Sequence, residues 1–182
     1  MTFQTAALGL INNVRRSQNP PLRALLPSTT LQRVATDGPY TGCSGITVYG
    51  RCRDMIERNY LSHSIKDCGN KGCSFMMVAA GISFSGSAEN VTYVGGVNAG
   101  QEEAAASNIH DMFMADPPHA ANILNPAWTH VGVGYWVAAP GPSNQPATST
   151  ITWAAPLALN NDTLPPAPSL TRTALATVRP AV

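Results

Sequence analysis

Apolar residues recur at helical spacing from the start of the chain. Phe3, Ala7, Leu10, Ile11 and Val14 share one face of residues 3–16, and Thr2 stands where a helix N-cap belongs. Asn19-Pro20-Pro21 ends this helix, because a residue before proline is pushed out of the helical region. Leu22, Leu25 and Leu26 lead into a second helix over 28–35. Residues 36–50, rich in Gly, Thr and Tyr, read as a loop holding Cys43. A third helix is expected over 51–59 with Met55 and Ile56 inward, then a loop over 64–74 closed by Cys68 and Cys73. Residues 75–80 predict a short helix halted at Gly81.

Downstream the pattern mixes both periods. Residues 87–93 predict an extended segment. Residues 101–115 predict a helix with Ala105, Ile109, Met112 and Phe113 on one face. Glu102 and Glu103 fall in its first turn, where the helix dipole favours acids, and Pro117-Pro118 stop it. Residues 131–137 form a β-type run in which Gly132 and Gly134 admit close backbone approach. A loop over 140–148 and a strand over 149–159, pairing with that run, follow. From residue 160 onward Pro, Thr and Ala dominate, which reads as a tail or linker without a core of its own. The expected organisation is one domain over 1–159 and a tail over 160–182.

Composition narrows the setting. Of 182 residues, 44% are hydrophobic, enough for a sizeable core. Only 12% are charged, about half the usual share. A net charge of +1 supplies no basic surface, so nucleic acid is not an expected partner. No apolar run approaches the roughly 20 residues of a membrane-spanning helix. Low charge together with Cys43, Cys52, Cys68 and Cys73 points to a secreted protein with disulfides. Three pairings are open, and the local pairs Cys43–Cys52 and Cys68–Cys73 are favoured over a four-thiolate zinc site, whose Cys-x-x-Cys knuckles are missing. Residues 1–16 lack the basic and apolar regions of a secretory signal, so export with a leader removed is expected.

Three stretches carry a resemblance. They are Arg58-Asn-Tyr-Leu-Ser-His63, Ala88-Glu-Asn-Val91, and Phe113-Met-Ala-Asp-Pro-Pro-His-Ala-Ala-Asn-Ile-Leu-Asn-Pro126 followed by Trp128-Thr-His-Val-Gly-Val-Gly-Tyr135. In this order the chain resembles the bacterial branch of the CAP superfamily (cysteine-rich secretory protein, antigen 5, pathogenesis-related-1), also called SCP domains, over residues 3–159. The resemblance implies an α+β fold, a three-layer α/β/α sandwich with a small antiparallel sheet, and a cleft with two histidines and two acids. His63 matches the family's first histidine. Glu89 matches the acid of its Gly-Glu-Asn motif, with Ala88 in place of the glycine. His119 matches the histidine of its Gly-His motif, with Pro118 in place of the glycine. Phe113 and Asp116 stand where animal and plant members carry Trp and, three residues on, the second acid. Residues 36–50 and the 68–73 loop read as insertions beside His63.

Two imidazoles and two carboxylates suit a divalent cation such as zinc, with His63 and His119 as ligands and Glu89 and Asp116 as ligands or outer partners. The same groups could form a metal-free network in which each carboxylate orients a histidine and raises its pKa. His63, Glu89 and His119 are the catalytic candidates, Glu89 as general base on a metal-bound water. No HExxH or G-x-S-x-G motif is present. Ser62 reads as a turn residue, His110 as solvated, His130 as structural, and Trp128, Trp136 and Trp153 as core or rim. Of two glycosylation sequons, Asn90 is expected to be buried and Asn161 to be the better acceptor. The leading expectation is an extracellular module binding a lipid-like, peptide or protein ligand. The alternatives are a metal-assisted hydrolase of peptides or cell-wall material, and a structural component of a surface assembly that packs through its tail.

Overall fold

The computed structural model describes residues 2–94 and 100–137, and the backbone of 147–155. The expected tail over 160–182, Asn161, the 140–146 part of the expected loop and the side chain of Trp153 lie outside the described residues.

Helix α1 spans Phe3–Arg16, and its cap forms as expected, the Thr5 amide donating to Thr2 Oγ1 at 3.3 Å. Its inward face buries Phe3, Ala7 and Ile11, and the Phe3 ring stacks on Tyr135 with centroids 4.2 Å apart. At its far end Arg15 is fully buried and donates to the carbonyls of Arg23, Ile123 and Asn125 at 2.8, 2.7 and 2.9 Å. A short strand β1, Leu26–Pro27, precedes α2, Thr29–Thr36, which Ser28 caps through the Leu31 amide at 3.3 Å.

The expected loop over 36–50 is instead a β-hairpin, β2 Pro39–Cys43 and β3 Ile46–Tyr49. Tyr40 and Val48 are cross-strand partners and both are buried, so the β-branched Ile-Thr-Val-Tyr run outweighs the glycines around it. Helices α3, Arg51–Glu57, and α4, Cys73–Ala79, follow, and α4 yields to Gly81 as expected. Met55 is buried as the pattern predicts, but Ile56 is only partly so.

Strand β4 spans Gly86–Val94 and α5 spans Glu102–Ala115. On α5, Ala105, Ile109 and Phe113 are buried, whereas Met112 is 43% exposed, against expectation. Pro117-Pro118 end α5 and also open a further helix, α6, Pro117–Leu124, which the pattern did not predict. Proline fits the first turn of a helix because its missing N–H would have no partner there. Strands β5, His130–Trp136, and β6, Ala147–Ala155, complete the fold and pair antiparallel as expected.

The main sheet has the order β1-β5-β6-β4, parallel only between β1 and β5, so β4 lies at one edge. Helices cover both faces. One core holds Phe3, Ile11, Ile109, Phe113, Ile123, Val131 and Val133. A second, under α2, α4 and the hairpin, holds Leu31, Val34, Tyr40, Val48, Ile65, Met76 and Met77. The Val131-Gly-Val-Gly alternation serves this layering: the valines fill the first core while the glycines let α2 lie on the strand. A Cβ at Gly132 would sit 2.2 Å from the Leu31 carbonyl carbon, and one at Gly134 2.5 Å from that of Ala35.

Cys43 is bonded to Cys68, not to Cys52, and Cys68 is not bonded to Cys73; both expected local pairs are corrected. The hairpin that replaces the expected loop carries Cys43 into the second core, against Cys68. A bridge across a sequence separation of 25 residues restricts the unfolded chain by about 3.5 kcal/mol. Cys52 and Cys73 are both buried. Among the described residues no helix is long and apolar enough to cross a membrane.

Candidate functional site

The site is built outward from the middle of β4. Glu89 is 8% exposed, and its two oxygens have different partners. Oε1 accepts from Arg51 Nε at 2.8 Å, and Oε2 lies 3.0 Å from His63 Nδ1. His63 sits in the segment after α3, which turns at Asn59 with a positive φ of 52°. Ser62 helps shape that segment by accepting from the Ser64 amide at 3.1 Å, the turn role expected of it. The His63 side chain remains 61% exposed, so its Nδ1 is tied inward while the ring reaches solvent. The hydrogen bond that Glu89 accepts raises the His63 pKa above its ordinary value, against a smaller opposing effect of burial.

Arg51 opens α3 and is completely buried. Burial alone would lower its pKa, but the charge and hydrogen bond of Glu89 outweigh that and hold it protonated. Its remaining donors are fixed by Tyr60 Oη at 3.2 Å and by the Ser62 carbonyl. Tyr60 in turn donates to the buried carboxylate of Asp54, and burial with that bond pushes the phenol up to about 12. Asp54 also receives Arg58 at 3.3 Å, and Arg58 reaches Asp67, beside the Cys43–Cys68 bridge, at 3.0 Å. A chain of charged hydrogen bonds therefore runs from the disulfide loop to His63. Cys73 borders it; burial, then the Glu89 charge, push its thiol up to about 12, leaving it inert as a nucleophile at neutral pH.

The second histidine is held from the other side of β4. His119 lies in the first turn of α6, and its Nδ1 is 2.5 Å from Asp116 Oδ2. The Phe113 ring supports the imidazole at 5.0 Å between centroids. Asn90, fully buried as expected, donates to the His119 carbonyl at 3.0 Å and accepts from Asn122 at 2.7 Å. Successive residues of a strand point to opposite faces, so Glu89 serves the α3 side and Asn90 the α6 side of the same edge.

The sequence-derived residues thus form two histidine–carboxylate pairs, His63 with Glu89 and His119 with Asp116. Among the described residues no group of three or more His, Cys, Asp and Glu is placed to hold a metal ion. His110 is half-buried, which lowers its pKa and corrects its expected solvation. His130 meets Thr129 Oγ1 at 2.9 Å, Trp128 is in the first core, and Trp136 lies under the Arg53 guanidinium at the rim. Arg51 and Asp54 were not anticipated, and Arg58 and Tyr60 stood in the first motif without a role assigned to them. Arg51 and Asp54 belong to a helix whose apolar pattern marked only Met55 and Ile56, and hydropathy carries no signal for a buried ion pair.

Comparison with known proteins bears on the family and the fold. The chain is 34% identical over 85 residues to the uncharacterised protein YkwD of Bacillus subtilis, a stretch that is 47% of this chain and 29% of that protein. An extracellular protein containing an SCP domain from Bacillus anthracis superposes with a TM-score of 0.60 over 84% of this chain and 40% of that one, at 18% identity. An outer surface protein of Borrelia burgdorferi gives the same TM-score over 84% of this chain and 92% of its own length, at 12% identity. These two structures share the fold. The model of the cysteine-rich secretory protein family, CAP, matches residues 57–152, over half of the chain, and the chain belongs to that family.

Proposed function

We propose that this CAP domain works outside the cell as a ligand-binding module, and that its cleft takes a divalent cation such as zinc on the imidazoles of His63 and His119. One observation carries the reading: each histidine has its Nδ1 against a carboxylate, at 3.0 Å for His63 and 2.5 Å for His119. An ionised carboxylate only accepts, so each Nδ1 carries the proton and each Nε2 offers a lone pair. Histidines that bind metals are commonly oriented in this way. Glu89 is buried and bonds His63 through Oε2 and Arg51 through Oε1, the place of an outer partner that orients a ligand. The remaining coordination positions fall to water or to a polar group of the ligand, a peptide, protein or lipid headgroup. An extracellular setting is supported by the Cys43–Cys68 bridge and by the extracellular and outer-surface descriptions of the two structural relatives.

Hydrolysis finds less support. A general base must reach the water it deprotonates, and Glu89 is buried and tied to Arg51 and His63 instead of facing the cleft freely. Zinc titration by calorimetry on metal-free protein tests the proposal. One-to-one binding lost in His63→Ala/His119→Ala, with the fold retained, is expected. No binding, or binding that survives both substitutions, would leave the two pairs as a structural network.

A further inference from the structure

We propose that the hollow between α2 and α4 is a second binding site, separate from the histidine cleft, and that it takes a small apolar group ending in a carboxylate. The hollow has a volume of about 230 Å³, and neither His63 nor His119 lines it.

Its floor is apolar: Val34 of α2 and Met76 of α4 line it and are both buried. Ala79 and Ala80 line it as well and are exposed, so they belong to the rim. Their short side chains leave the space that longer ones would fill. The rim continues onto the outer face of α4, where Phe75 stands one turn before Ala79 and is 48% exposed. No charged residue occurs from 72 to 88, so α4 offers a ligand only uncharged groups.

One cation completes the site. Arg33 of α2 is exposed and lines the hollow, and among the described residues no carboxylate forms an ion pair with it, Asp37 one turn on included. Volume decides the size of the occupant. An apolar cavity of about 150 Å³ takes benzene, so about 230 Å³ takes one ring or one branched alkyl group with a short tail. Charge decides how the tail ends. A carboxylate is planar, singly charged and matched to one guanidinium, whereas the greater charge of a phosphate finds no second cation in the lining. Two sources carry this chemistry, a free small acid and the C-terminal residue of a peptide.

The probes are 3-phenylpropionate, its neutral counterpart 3-phenylpropanol, and the peptide acetyl-Gly-Gly-Phe with a free or an amidated C-terminus. Each is titrated into the full chain carrying carbon-13-labelled methyl groups, and the signals of Val34, Met76 and Ala80 are followed. Expected is saturable binding of 3-phenylpropionate at Val34 and Met76, with a Kd of about a few millimolar or below. Arg33→Gln should weaken it about two- to fivefold, the range of an exposed ion pair, and the neutral alcohol should bind less well by the same factor. Ala79→Leu, which fills the hollow, should abolish binding of both. Arg33 and Ala79 are exposed, so both variants keep the fold. Binding of the free-acid peptide as well as of 3-phenylpropionate supports the site as a receptor for a polypeptide C-terminus; binding of 3-phenylpropionate alone supports it as one for a small acid. No saturation at Val34 and Met76 by about 10 mM, equal affinity for acid and alcohol, or binding that survives Ala79→Leu overturns the proposal.

Discussion

Glu89 and Asn90 are neighbours on β4 yet hold opposite helical layers of the domain. Glu89 bonds Arg51 and His63 on one side, and Asn90 bonds the His119 carbonyl and Asn122 on the other. One dipeptide at the edge of the sheet thus sets the position of both histidine-bearing segments.

Loss of Asn90 should loosen only the α6 side. Asn90→Ala strands the His119 carbonyl and the Asn122 amide, at a cost of about 1–3 kcal/mol for buried groups left unpaired. Urea unfolding should show that loss, while the His63 tautomer stays as in the wild type. A change at His63 would mean that the two sides are coupled through the strand.

The His63–Glu89 pair should make stability depend on pH. Its folded pKa lies above the ordinary 6.5, and Arg51 and Glu89 are the charged groups that face it. A raised pKa contributes stability that is fully present below the unfolded value and is lost as pH rises through the folded one. The stability difference between wild type and His63→Ala should therefore shrink as pH climbs from below 6.5 to above the folded pKa. Because the ring is 61% exposed, solvent screening keeps the change small. A difference that grows with pH would contradict the assigned pair.

Gly132→Ala and Gly134→Ala should each destabilise the fold by at least about 1–3 kcal/mol, because the new methyl meets α2 backbone that cannot yield without moving the helix. Gly9→Ala is the internal control. Nothing lies near its Cβ position, it is exposed in α1, and removing a helical glycine should stabilise by about 0.5–1 kcal/mol. Thermal unfolding of the three variants reads both signs.

Peptide mapping without reduction should recover Cys43 joined to Cys68. Cys43→Ala/Cys68→Ala should cost about 3.5 kcal/mol in urea unfolding, the loop-closure effect of a 25-residue separation. A Cys43–Cys52 or Cys68–Cys73 peptide would restore the local pairing.

Much of this protein was legible in one dimension. The helices at 3–16, 28–35 and 101–115 and the strands around Glu89 and Val131 follow from spacing, caps and prolines, which act within a few residues of themselves. Gly132 and Gly134 could be read as points of close approach because only a missing Cβ permits it. His63, Glu89, Asp116 and His119 could be named from motifs. Tertiary structure alone decided the rest. The β-hairpin at 39–49 exists because Tyr40 and Val48 find a core to fill, and it is the hairpin that brings Cys43 to Cys68. The burial of Arg51 depends on Glu89 arriving from a strand 38 residues away, and no local pattern encodes a partner at that distance. Division of the four site residues into two histidine–carboxylate pairs likewise came from the alternation of Glu89 and Asn90 on an edge strand, which the chain expresses only once that strand is clasped between two helical layers.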